Sequence, residues 1–229
     1  MKRFVLLSVL FFSVCIVSVA QTADCFAMTK DGLRVQYSYL YGKKQKLMGY
    51  YVNQVEQIHV DSNKTEVTVL FKMFNKKGKP STSAKWAGIG DGMLYKIAIE
   101  DGSYYMTMDL AFALGGQNRR GYILKIPATL KVGDKLEGGT LSYETKALTT
   151  YETKLVYSGF KVVGELDLKT AAGTFHCFKV EGTVSGKYSG SDIESNQVLY
   201  LSQGIGIVRQ EVDYYGKIIV LEASQISGL

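Results

Sequence analysis

The tract Ala171-Ala172-Gly173-Thr174-Phe175-His176-Cys177-Phe178-Lys179-Val180-Glu181-Gly182 sets one of the chain's two histidines against one of its three cysteines. A thiolate beside an imidazole is the chemistry of cysteine nucleophiles and of mixed nitrogen and sulfur metal sites. The surroundings predict a different role. A glycine turn, then aromatic and β-branched residues, then Gly182, reads as an extended strand, and neighbours on a strand point to opposite faces. His176 then shares a face with Phe178 and Val180, Cys177 shares one with Phe175, and the two cannot pair. The other histidine, His59, sits in no recognisable nucleophile context. With no His-Glu-x-x-His motif and no closely spaced cysteine pair, neither a dedicated zinc site nor any other cofactor is expected.

Other residues with chemical capacity carry competing structural readings. Glu100, Asp101 and Asp109 could supply the two carboxylates of a glycoside hydrolase, but two of them stand directly before Gly102 in a tight turn, where acidic residues are ordinary. Gly88-Ile89-Gly90-Asp91-Gly92 lacks the Lys-Ser/Thr ending of a phosphate cradle and reads as a turn or bulge. Gly204-Ile205-Gly206 does the same. Aromatic density is what packing explains least: Trp86, Tyr95, Tyr104 and Tyr105, with the Tyr39, Tyr41, Tyr50, Tyr51 group, offer amphipathic rings suited to a cleft for sugars or lipids.

The elements that must position these groups are strands. Leu33, Val35, Tyr37, Tyr39 and Tyr41 alternate with more polar residues, as do Val67, Val69, Phe71 and Met73, which is the period of a half-buried strand. Between Tyr50 and Val60, Val52 and Val55 break the alternation, which predicts a bulge. Turn chemistry separates the runs at Tyr41-Gly42-Lys43-Lys44, Asn75-Lys76-Lys77-Gly78, Asp101-Gly102, Asn118-Arg119-Arg120-Gly121, Ala171-Ala172-Gly173 and Tyr214-Tyr215-Gly216. The fold class expected is all-β: a large antiparallel sheet curled into a barrel-like or sandwich arrangement.

Residues 1–20 carry two cations, an apolar run from Phe4 and the small-residue ending Ser18-Val19-Ala20, a secretory signal peptide with cleavage before Gln21. Neither Cys15 nor Cys25 stands in a good lipobox, which favours a soluble secreted or periplasmic chain over a lipoprotein. Residues 21–229 then form a single all-β domain, a length that suits one core. Loss of Lys2 and Arg3 takes the formal net charge from +6 to +4, no nucleic-acid signature. No transmembrane helix is expected in the mature chain, and a monomer is the simplest assembly. Cys25 and Cys177 are left in a compartment that permits a disulfide; a Cys25–Cys177 bridge and two separate thiols are both open.

Asp24-Cys25, Gly42-Lys43-Lys44, Lys77-Gly78-Lys79, Ile126-Pro127, Leu130-x-Val132-Gly133-Asp134-x-Leu136, Ala172-Gly173-Thr174-Phe175-x-Cys177-x-Lys179 and Gly204-Ile205-Gly206-Ile207-Val208-Arg209 together resemble the TapB-like family of secreted proteins of Gram-negative bacteria. The resemblance implies an exported all-β protein and transfers no catalytic residue. Family members often carry a further cysteine where this chain has Trp86-Ala87-Gly88-Ile89.

The functional expectation is a non-catalytic binding or accessory protein of the bacterial envelope, whose partner is an envelope protein, a glycan or a lipid. A carrier of an apolar ligand in a curved-sheet cavity, walled by Phe112, Leu114, Ile123 and Leu124, is the first alternative, and a carbohydrate-active hydrolase the second.

Overall fold

The computed structural model describes residues 25–82, 91–111, 117–146, 150–188 and 190–229. The expectations for the leader, Trp86, Phe112 and Leu114 fall outside these residues. The described elements are fourteen strands: β1 (Arg34–Tyr41), β2 (Lys46–Asp61), β3 (Lys64–Asn75), β4 (Met93–Glu100), β5 (Ser103–Met106), β6 (Gln117–Gly121), β7 (Leu124–Pro127), β8 (Glu137–Gly138), β9 (Thr140–Lys146), β10 (Thr150–Thr170), β11 (Gly173–Tyr188), β12 (Ser191–Ser202), β13 (Gly206–Tyr214) and β14 (Lys217–Ser227). They form one antiparallel sheet in the order β6-β9-β10-β11-β12-β13-β14-β1-β2-β3-β4-β5-β7-β8. Among the described residues no helix is long and apolar enough to cross a membrane.

Alternation decides which face each strand buries. Val35 and Tyr37 of β1, and Val67, Val69, Phe71 and Met73 of β3, all turn into one core, as their spacing requires. The irregularity in β2 is a bulge between Val55 and Gln57, where the register against β3 shifts by one residue. Asp101 and Gly102 form the β4–β5 turn, Tyr215 and Gly216 the β13–β14 turn, all with positive φ. The tract 118–121 departs from its turn reading. It lies in β6 and pairs with β9, with a shift in register between Gln117 and Arg120 and Asn118 at φ 58°.

Right-handed twist curls the sheet into a half-barrel. Its two margins are tied along one stretch: Leu136 N donates to Phe160 O at 2.9 Å, Val162 N to Asp134 O at 2.9 Å, and Tyr157 N to Gly139 O at 2.9 Å. This joins the chain on either side of β8, at one end of the strand order, to β10, near the other end.

Two irregular segments fill the concavity. Cys25, Phe26, Ala27 and Met28 are buried, and Gly204 N donates to Cys25 O at 2.8 Å. Met106, Met108, Asp109 and Leu110, following β5, are equally buried. Cys25 and Cys177 both lie in this core and are not joined by a disulfide. The bridged alternative is therefore not the arrangement seen; the long loop such a link would close is held by packing, with the Phe26 and Phe178 rings edge to face at 5.7 Å.

Candidate functional site

The His176-Cys177 pair separates as alternation demands. The Cys177 side chain has no exposed surface. Burial, then the nearby Asp167, pushes its thiol up to about 11, so it stays protonated and a poor nucleophile at neutral pH. His176 faces solvent across β10, its Nδ1 3.1 Å from Asp167 Oδ1 and its Nε2 2.8 Å from Glu165 Oε1. His59 lies exposed on β2.

The three carboxylates weighed for hydrolysis occupy different environments. Glu100 pairs with Lys64 at 2.7 Å on the surface, and Asp101 is exposed in its turn. Asp109 is wholly buried, and its carboxylate accepts from Ala111 N at 2.8 Å, Tyr157 Oη at 3.0 Å, Gln197 Nε2 at 2.9 Å and Gln210 Nε2 at 2.7 Å. The three side-chain donors come from β10, β12 and β13, so this carboxylate fastens the segment after β5 across the concave face. Carboxylates buried this way are hydrogen-bonded for the same reason any buried charge must be. In the buried apolar string Met106-x-Met108-Asp109-Leu110, Asp109 is the readable sign of such a role.

The tyrosines named as ligand contacts divide by strand parity. Tyr104 is buried and, with Tyr95, lines an interior gap of about 20 Å³ beside Tyr37, Asn53 and Met108. Tyr105 faces the other way, its ring 5.5 Å from Tyr122 edge to face and 5.5 Å under Lys125 Nζ. Ile123 and Leu124, expected to wall a carrier cavity, have no exposed surface in the packed core.

A larger cleft opens elsewhere, where the margins of the sheet are not tied. Thr68 of β3, Leu94, Tyr95 and Lys96 of β4, Thr107, Arg119 and Gly121 of β6, and Leu141 of β9 enclose about 400 Å³, within the range of small-molecule sites. Strand β5 pairs with β4 only from Ala98 onward, so the Met93–Ile97 stretch, laddered to β3 on one side, lines the cleft along its other edge. Thr107 Oγ1 donates to Lys96 O at 2.6 Å, covering one of those carbonyls. The walls are largely apolar. Leu94 is 63% exposed at the cleft's rim.

The charges in the cleft are balanced. Lys96 Nζ sits 2.6 Å from Glu66 Oε1. The Arg119 guanidinium lies 5.3 Å over the Tyr143 ring, with Nη1 3.2 Å from Met108 S, and burial pulls its pKa below the usual arginine value despite the field of Asp109. Gly121 is required: at φ 87°, a Cβ there would stand 1.9 Å from Thr140 O. Of the cleft residues only Tyr95 was singled out from sequence. Leu94 and Lys96 share a face of β4 by strand period, but Arg119 of β6 reaches them only by curling of the whole sheet, for which no local pattern is a signal.

Two solved structures share this architecture. A candidate exported protein with a YmcC-like fold from Bacteroides fragilis superposes with a TM-score of 0.73 at 19% identity, over 89% of this chain and 99% of that one. A candidate lipoprotein from Parabacteroides distasonis gives 0.69 at 15% identity, over 90% and 100%. At these identities the likeness is one of fold. No curated protein matches the chain. The all-β fold that the TapB-like resemblance implies is the one seen, whereas the TapB-like family itself is not what the matching family model shows; that model covers residues 30–219. By that match the chain belongs to the DUF3108-like family.

Proposed function

We propose that this is an exported envelope protein that works by binding, without covalent chemistry, and that its ligand is a small molecule with an apolar body held in the cleft between β4 and β6. The observation that carries this reading is the cleft itself: about 400 Å³, walled by Leu94, Tyr95 and Leu141, with its lysine paired to Glu66 and its arginine laid over the Tyr143 ring. A volume of that order suits a compact ligand rather than a protein face. The dispersal of His59, His176 and Cys177 supports the absence of a nucleophile.

Export as a cleaved chain, rather than anchoring through acylated Cys25, fits the burial of that side chain among Phe26, Ala27 and Met28. An acylated sulfur has to reach a bilayer, and this one lies in the core. Native mass spectrometry of the protein isolated from its own envelope tests the reading. The expected result is a co-purified mass of a few hundred daltons, lost in Leu94→Arg, which places a charge in the cleft. A bare chain, or a bound mass that Leu94→Arg retains, contradicts it.

A further inference from the structure

Three glycine-lysine turns that the cleft leaves unused fall at one end of the sheet. β13, β14, β1, β2 and β3 are neighbours in strand order, and their registers bring the tips level: Tyr214 opposes Lys217, Tyr41 opposes both Ile219 and Lys46, and Gly49 opposes Asn75. At about 4.8 Å per strand the arc is roughly 20 Å wide. The turn after β1 presents Lys43, Lys44 and Lys46, the turn that closes β3 presents Lys76, Lys77 and Lys79, and Lys217 opens β14, all of them exposed. Across residues 41–48, 75–81 and 213–218 the one carboxylate is Asp213. The resulting surplus of six positive charges exceeds the +4 that residues 21–229 carry together, so the rest of the chain is net acidic. The opposite end mixes signs, with Asp31, Asp61 and Asp101 exposed in its turns beside Lys30 and Lys64.

Apolar groups are set among these lysines. Tyr215 is 62% exposed, Met48 45% and Ile218 41%. The tips are braced. Tyr215 and Gly216 take the positive φ of a tight hairpin, the Tyr215 hydroxyl donates to Asp192 O at 2.8 Å, and its ring stands edge to face with Tyr214 at 4.8 Å. Gly42 N donates to Ile218 O at 2.8 Å, and Lys217 Nζ lies 5.7 Å over the Tyr41 ring, which joins this tip to the turn after β1. In the third turn Asn75 Oδ1 accepts from Lys77 N at 2.9 Å and Lys79 N at 3.2 Å.

We propose that this end of the sheet is a peripheral docking surface for a bilayer containing anionic phospholipid. The lysines attract headgroup phosphates, each clustered cation near such a surface strengthening the partition by about fivefold. Tyr215, Ile218 and Met48 supply the part that salt does not screen, since a tyrosine ring and apolar tips suit the boundary between headgroups and acyl chains. An acidic polysaccharide would match the lysines but make no use of Met48 and Ile218, which favours the bilayer. Docking of this kind is independent of the cleft: it holds the exported chain at a membrane surface whether or not the cleft is filled.

Sedimentation of the intact protein with vesicles tests this. Vesicles of mixed phosphatidylcholine and phosphatidylglycerol should take up the protein at low salt and release most of it at high salt, and vesicles of phosphatidylcholine alone should take up little. Lys43→Gln with Lys44→Gln should weaken uptake by roughly tenfold or more, whereas Lys30→Gln with Lys169→Gln, at the opposite end, should leave it nearly unchanged. Ile218→Ser with Met48→Ser should weaken it at low and high salt alike. Every substituted side chain is exposed, so the fold is retained. No uptake by the mixed vesicles, equal uptake by both kinds, or equal losses from the two lysine pairs would each overturn the proposal. So would retention on an acidic polysaccharide without vesicle binding, or uptake undiminished by Ile218→Ser with Met48→Ser, because any polyanion would then serve.

Discussion

At the scale of single residues, the side chains with most chemical promise are set to do little chemistry. His176 is held by two carboxylates, Asp167 first and Glu165 second, and they push its pKa above the ordinary histidine value. A raised folded-state pKa means that the pair contributes stability fully present below the unfolded value, about 6.5, and lost as pH rises through the folded one. Both partners are solvent-exposed, so the contribution is small. Titration by NMR should place His176 above 6.5 in the native chain, and Asp167→Asn should move it back toward 6.5; an unchanged midpoint would show that the carboxylate is not its partner. Cys177, with its pKa near 11, should resist a disulfide reagent at pH 8 in the native protein and react promptly in denaturant. The parting of His176 from Cys177 was legible, since strand period alone dictates it. The same period divides Tyr104, which is buried, from Tyr105 on the opposite face of β5.

At the scale of elements, close packing between strands sets what each glycine allows. A Cβ on Gly182 would stand 2.4 to 2.5 Å from Phe160 ring atoms, and Phe160 is buried with no room to yield. Gly164, by contrast, meets nothing within 4 Å. Gly182→Ala should therefore lose roughly 1 to 3 kcal/mol in urea unfolding, and Gly164→Ala should stay within about 0.5 kcal/mol; equal effects would contradict the packing described. Paired strands and their turns were legible where chemistry is local, as in the Val55 bulge and the Asp101-Gly102 turn. The residue types of Asn118 to Gly121 suit a turn. Pairing with β9 makes it a strand, and that pairing is remote in sequence.

At the scale of the whole molecule, curling brings together what the sequence keeps apart. Asp109 gathers donors from three strands 48 to 101 residues away, so Asp109→Leu strands several buried donors at about 1 to 3 kcal/mol each. Unfolding in urea should show a loss of roughly 3 kcal/mol or more, against a smaller loss for Tyr157→Phe. An interior held this way leaves little space for an acyl chain, and the working surface moves to the cleft between β4 and β6, which no periodicity could announce. The most direct test is an amide chemical-shift map of the ligand-stripped protein titrated with the organic extract of the natively purified material. Shifts confined to Thr68, Leu94, Tyr95, Lys96, Arg119 and Gly121 are the expected outcome. Shifts centred on His176 and Phe178 instead, or none at all, would contradict the account.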